Sequence, residues 1–104
     1  MVTKCKLIYL PSATEDILNI VRFHADKVSP ASAREVYRTI RETISVLQQF
    51  PLMGPLHPDP ELAALGYRKL VLTKIYVSIY KVTDNIVTIY RVVHGAIDYT
   101  KLLK

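Results

Sequence analysis

The hydrophobic period of this chain changes once, and that change restricts the folds open to it. Up to Phe50 the apolar residues recur at helical spacing, and from Tyr67 onward they alternate. In the clearest helical segment Ala33, Val36, Tyr37, Ile40, Ile44 and Leu47 fall on one face. Arg34, Arg38 and Arg41 fall on another, beside Glu35 and Glu42. The later stretches Tyr67–Leu72, Ile75–Thr83 and Ile86–Val93 are full of Val, Ile, Tyr and Thr, residues suited to a pleated surface. Thr73-Lys74 and Thr83-Asp84-Asn85 read as the turns between them, since Asp and Asn tolerate left-handed backbone. Strands this closely connected form an antiparallel meander, and the striped helix must bury its face against one side of it.

The remaining punctuation completes the plan. A short strand from Lys6 to Leu10 is closed by Pro11, and Ser12-Ala13-Thr14-Glu15 reads as a capping box. A first helix follows to about Val28, with Ile17, Ile20, Val21 and His24 on one stripe. Ser29-Pro30 then supplies an N-cap and a first-turn proline for the second helix, which Pro51 ends at Phe50. The short connection makes the two helices an antiparallel hairpin. Residues 51–66 hold four of the six prolines and two of the three glycines, so they form a loop. Within it Asp59-Pro60 starts a short helix, Pro60 to Leu65, that Gly66 ends. The expected fold is α+β, in the order β-α-α-β-β-β. An N-terminal strand and a helical hairpin pack on a twisted antiparallel sheet, as one domain over residues 1–104.

Composition narrows the setting. Half the residues are hydrophobic and 22% are charged, enough apolar material for a core. No apolar run approaches the roughly 20 residues that span a bilayer. The opening MVTKCKLIYL is too short and too broken by charge for a secretory signal. One cysteine, Cys5, cannot form an internal disulfide, which suits a reducing cytoplasm and reads as a small buried residue. The net charge of +5 attracts phosphate or an acidic protein segment without choosing between them. His24, His57 and His94 match no zinc spacing, so neither metal nor cofactor is expected.

Several motifs resemble the RelE/ParE toxin family, and its ParE branch more closely. Phe50-Pro51-Leu52-Met53-Gly54 is similar to the family's Pro-x-x-Gly turn after the second helix. Gly66-Tyr67-Arg68-Lys69-Leu70 resembles the start of its first meander strand, and Tyr76-Val77-Ser78-Ile79-Tyr80-Lys81-Val82 its tyrosine-bearing second one. Ile89-Tyr90-Arg91-Val92-Val93-His94-Gly95-Ala96-Ile97-Asp98 is similar to the closing ParE pattern, a strand with an internal Arg leading into His-Gly-x-Arg-Asp. The resemblance implies the toxin of a type II toxin–antitoxin, or plasmid-stabilisation, module. It implies a cognate antitoxin with an acidic or amphipathic tail, a dimer or toxin–antitoxin hetero-oligomer, and a target that is DNA gyrase in the ParE branch or ribosome-bound mRNA in the RelE branch.

RelE-type ribonucleases, by the same resemblance, hold the phosphate with one Arg on the middle meander strand and another just past the last strand. Here those places carry Val77 and Ala96 or Ile97, and no aliphatic side chain imitates a guanidinium fork. Arg68, Arg91 and His94 are the remaining candidates for catalysis. For binding a target or antitoxin the candidates are Arg68, Lys69, Tyr76, Tyr80, Tyr90 and Arg91. Arg68 and Lys69 adjoin on a strand and so point to opposite faces. Arg91, inside the apolar run TIYRVV, reads either as a structural ion pair or as a binding group. Tyr76, Ser78 and Tyr80, with Thr88 and Tyr90 beside them, are expected on the sheet face left open by the helices. Three functions stay open at this point: a toxin that acts by binding, a ribonuclease with an altered residue set, and a nucleic-acid-binding module with no toxic role.

Overall fold

The computed structural model describes residues 4–104, so the first three residues of the opening stretch lie outside it. In chain order the elements are β1 (Lys6–Tyr9), α1 (Pro11–Lys27), α2 (Pro30–Ser45), α3 (Pro60–Ala64), β2 (Arg68–Val71), β3 (Tyr76–Thr83) and β4 (Ile86–His94). Single 3₁₀ turns follow α2 at Val46–Gln48 and close the chain at Thr100–Leu102. The sheet order is β1-β4-β3-β2. The three later strands form the antiparallel meander, and β1 joins its free edge parallel to β4, making the whole sheet mixed. Among the described residues no helix is long and apolar enough to cross a membrane.

Local chemistry explains the boundaries. Ser29 caps α2 by accepting the Ser32 N–H at 3.0 Å, ahead of Pro30. Asp59 caps α3 through the Glu61 and Leu62 amides, and Gly66 ends that segment at φ +88°. The capping box at Ser12 does not form. Pro11 takes the first helical position, so α1 starts a residue before Ser12, with Leu10 as an N-cap that offers no side-chain bond. The Ser12 hydroxyl, now inside the helix, donates instead to the Tyr90 carbonyl at 2.8 Å.

The hairpin buries Ile17 of α1 and Val36, Ile40 and Ile44 of α2, with Leu47 in the 3₁₀ turn, against the sheet. Tyr37 of the same stripe lies at its margin and is exposed. Opposite them lie Leu70, Tyr76, Tyr80, Val87, Ile89 and Val92. The tyrosines of β3 therefore face the helices, and the expectation that they line the open face is corrected. A bulge is the reason for part of this. Tyr80 pairs with Ile89 but Ile79 pairs with Arg91, so β4 carries an extra residue there. The parity of β4 inverts across it: Val87 and Ile89 point to the helices, and so does Val92, while Tyr90 turns to the other face with Val77 and Ile79. That second face is covered by Leu62 of α3 and by Tyr99 and Leu103 of the C-terminal segment.

Tyr80 fixes the Pro51–Gly54 turn over the end of this core. Its hydroxyl accepts the Gly54 N–H at 2.9 Å and donates to the Pro51 carbonyl at 2.8 Å. Gly54 is required by this approach, since a Cβ there would stand 2.6 Å from the Lys69 carbonyl oxygen. Replacing Tyr80→Phe should cost about 1–3 kcal/mol, because a buried N–H loses its acceptor. Gly54→Ala should cost more, since it pushes on backbone and on the ring. Urea unfolding checks both; an unchanged midpoint for Tyr80→Phe would show that the turn holds without the hydroxyl.

Candidate functional site

The two arginines of the meander, Arg68 and Arg91, are committed to the fold itself. Arg91 is held by Asp16 of α1 through two bonds, Nε–Oδ2 at 2.7 Å and Nη2–Oδ1 at 2.8 Å. The Val92 N–H donates to the same Asp16 Oδ2 at 3.0 Å. The hydrogen bonds to Asp16 raise the Arg91 pKa above its usual value against the opposing effect of burial. Arg68, half-buried, donates from Nη1 to the Gly54 carbonyl at 2.9 Å, beside Tyr80. Burial pushes the Tyr80 phenol up, with the Gly54 bond and the Arg68 charge working the other way. Tyr76 is also buried, and its hydroxyl meets His24 Nε2 at 3.1 Å.

The other binding candidates lie on the second face. Tyr90 stands edge-on to Tyr67 with ring centroids 5.1 Å apart, and the Lys81 ammonium sits 4.3 Å from the Tyr67 centroid. Lys69 follows Arg68 on β2 and pairs with Ile79, so it belongs to this face too. The six binding candidates are thus split between two sides of one sheet. The three catalytic candidates do not converge either. Arg68 pairs across β3 with Tyr80, and His94 pairs on the other side of β3 with Tyr76. That places them roughly 13 Å apart along the strand and about 10 Å across it.

A cavity of about 380 Å³ opens between α1, the end of β4 and the C-terminal segment. Asn19 and Ile20 wall one side, Tyr76 and Val92 form the floor, and His94, Asp98 and Lys101 stand at the rim. His94 is exposed, and its Nδ1 accepts the Ala96 N–H at 3.1 Å, which leaves Nε2 as the free ring nitrogen. Of the positions where a ribonuclease would hold phosphate, Val77 is packed among Leu62, Tyr67, Ile79 and Tyr99, and Ile97 contributes an exposed aliphatic side chain to the cavity. The cleft can take an apolar group with polar contacts at its edge. Among the described residues no group of three or more His, Cys, Asp or Glu is placed to hold a metal ion.

Three polar residues that hold the site's surroundings carry no signal in the sequence. Asp16 carried no motif. His24 lies on its helical stripe, where Ser32 and Tyr76 hold both its nitrogens. His57, within the loop, is buried and ties α3 to the C-terminal segment. Its Nδ1 accepts the Asp59 N–H at 3.0 Å, and its Nε2 lies 2.8 Å from the Tyr99 hydroxyl.

The model of the family described as the ParE toxin of type II toxin–antitoxin systems matches residues 7–99. The chain belongs to the ParE toxin family. No relative among curated protein sequences matches it. A solved chain from the chromosomal ParDE toxin–antitoxin system of P. aeruginosa is 21% identical, with a TM-score of 0.74 over 88% of this chain and 96% of that one. A chain of the RelBE2 toxin–antitoxin complex of Mycobacterium tuberculosis is 22% identical, with a TM-score of 0.57 over 93% and 98%. A chain of the E. coli DinJ–YafQ toxin–antitoxin complex is 16% identical, with a TM-score of 0.56 over 97% and 99%. At these identities the structural likeness establishes the shared fold.

Two measurements test how this ParE-family chain uses its charges. Removing either side of the Asp16–Arg91 pair should cost about 2–3 kcal/mol, since it breaks charge-assisted bonds and strands a half-buried ion. Asp16→Ala with Arg91→Ala should cost little more than the worse single change; additive losses in urea unfolding would mean the two do not act as a pair. Burial first, and then the Lys69 charge, lower the His57 pKa below its usual 6.5, against the opposing pull of Asp59. The folded state then binds fewer protons than the unfolded one. His57 stabilises the fold fully above about pH 6.5, and this contribution shrinks as the pH falls through the folded pKa. Wild type should lose thermal stability between about pH 7 and pH 5 more steeply than His57→Gln, and parallel curves would remove His57 from the account.

Proposed function

We propose that this ParE-family chain is the toxin of a type II toxin–antitoxin module that acts by binding a cellular target, with DNA gyrase the first to test. A cognate antitoxin neutralises it. The carrying observation is the commitment of the two meander guanidiniums: Arg91 is held by Asp16, and Arg68 donates to the Gly54 carbonyl. Phosphoryl transfer through the 2′-OH requires a base, an acid and cations converging on the developing charge. Arg68 and His94 stand on opposite sides of β3, and Val77 fills its place with core. What the chain offers instead is a half-apolar cleft beside the His94–Asp98 segment, a surface suited to protein contact. An antitoxin partner is supported by the company of the fold, since the related chains from M. tuberculosis and E. coli come from toxin–antitoxin complexes.

One observation favours the rival ribonuclease reading: His94, Asp98 and Lys101 share a single cleft, and such a set can supply acid, base and one cation. Toeprinting on translated mRNA separates the two readings. We expect no cuts with the wild-type protein, and toxicity accompanied by gyrase-linked DNA damage. Cuts in the ribosomal A site that vanish in His94→Ala, a change at an exposed side chain, would establish the ribonuclease instead. Arg68→Ala and Arg91→Ala complete the series, read beside their unfolding midpoints because both residues brace the fold.

A further inference from the structure

Apolar side chains gather on the outer side of the Pro51–Gly54 turn. Phe50 is 58% exposed, Leu52 62%, Met53 52%, Leu56 51% and Val71 62%, values that make this an unburied surface and not a core margin. A cavity of about 540 Å³ lies within it, lined by Met53, Pro55, Leu56, Pro58, Leu70 and Val71 and rimmed by Lys69. Its lining holds no carboxylate, and the nearby Asp59 and Glu61 are turned to Lys104, at 3.1 and 3.6 Å.

The strand beside this cavity is only half covered. β2 is an edge strand, and the loop pairs with its first part: Lys69 N–H donates to the Pro55 carbonyl at 3.0 Å, and His57 N–H to the Tyr67 carbonyl at 2.9 Å. Backbone groups alternate along a strand, so those of Val71 point the same way as those of Lys69. Among the described residues none beyond Pro55 bonds to them, and Val71 extends the open edge next to its own exposed side chain.

We propose that this surface takes an extended segment of the antitoxin, one that places an apolar side chain in the cavity, pairs its backbone with Val71 and sets a carboxylate against Lys69. The charge selects this occupant. A second copy of the chain across the same edge would bring one Lys69 ammonium towards another in an apolar setting, whereas an acidic segment compensates it. The proposal rests on the antitoxin reading above and is independent of what the toxin poisons.

The test uses the full-length toxin copurified with the product of the adjacent reading frame. Leu56→Asp, Val71→Asp and Lys69→Glu should each weaken the complex by about tenfold or more, with unfolding midpoints of the free toxin near wild type. In hydrogen exchange the Val71 amide should gain protection on complex formation. Wild-type affinity in Leu56→Asp and Val71→Asp would overturn the docking surface while leaving the antitoxin reading in place. No complex with wild-type toxin would overturn both. A toxin dimer that these substitutions dissociate, with antitoxin affinity unchanged, would assign the surface to a second copy.

Discussion

The bulge in β4 and its attachment to α1 set most of what this fold can do. An extra residue in a strand interrupts the ladder and leaves backbone groups to be satisfied from elsewhere. Here α1 supplies the partners. Ser12 and Asp16 stand four residues apart, on one face of the helix, and reach the two sides of the bulge: the hydroxyl donates to Tyr90 O, and the carboxylate accepts from Val92 N and from Arg91. A helix position, a strand register and a side-chain charge are thereby fixed together. Because the parity of β4 reverses there, Ile89 and Val92 both reach the helical core, and Tyr90 is sent to the second face. Arg91 becomes part of the frame that holds the sheet to the hairpin.

The elements that follow local rules were legible in the sequence. The stripe Val36, Ile40, Ile44 and Leu47 is buried as its spacing requires, and Ser29, Asp59 and Gly66 occupy the capping positions their residue types favour. Capping is decided within four residues, so it can be read there. The exception, Ser12, turned on which of two local signals prevailed. A proline at the first helical position displaced the capping box by starting the helix earlier, and a tertiary acceptor then claimed the hydroxyl.

The sheet faces were not legible, for two physical reasons. All five residues from Tyr76 to Tyr80 are buried, because β3 is central and covered on both sides. A strand in that position needs no polar face, so alternation carries no direction. Tyrosine adds ambiguity, since its ring fills a core as well as an interface while its hydroxyl seeks one partner. For Tyr80 the partner is the turn at Gly54, and for Tyr76 it is His24. The second reason is the bulge, which no residue of TIYRVV announces. The site partners lie at similar distance from sequence reasoning: His57 and Tyr99 are 42 residues apart, His24 and Tyr76 52, and Asp16 and Arg91 75.

The same economy bears on function. A small fold with few polar side chains in its interior must decide whether each one serves stability or chemistry. In this chain the arginines of the meander brace a bulge and a turn, Tyr80 anchors that turn, and His57 joins loop to C-terminus, so these four groups serve the frame. The surface left over is of another kind. Exposed Phe50, Leu52, Met53, Leu56 and Val71 gather at one edge of the sheet, and Ile97 and Leu102 beside the His94 cleft at another. Apolar area held open to water on two sides of a chain is the kind of surface that protein contact covers. In the function proposed above, one such surface serves neutralisation and the other the target, and the cleft adjoins the frame, since Asp16 contributes to both.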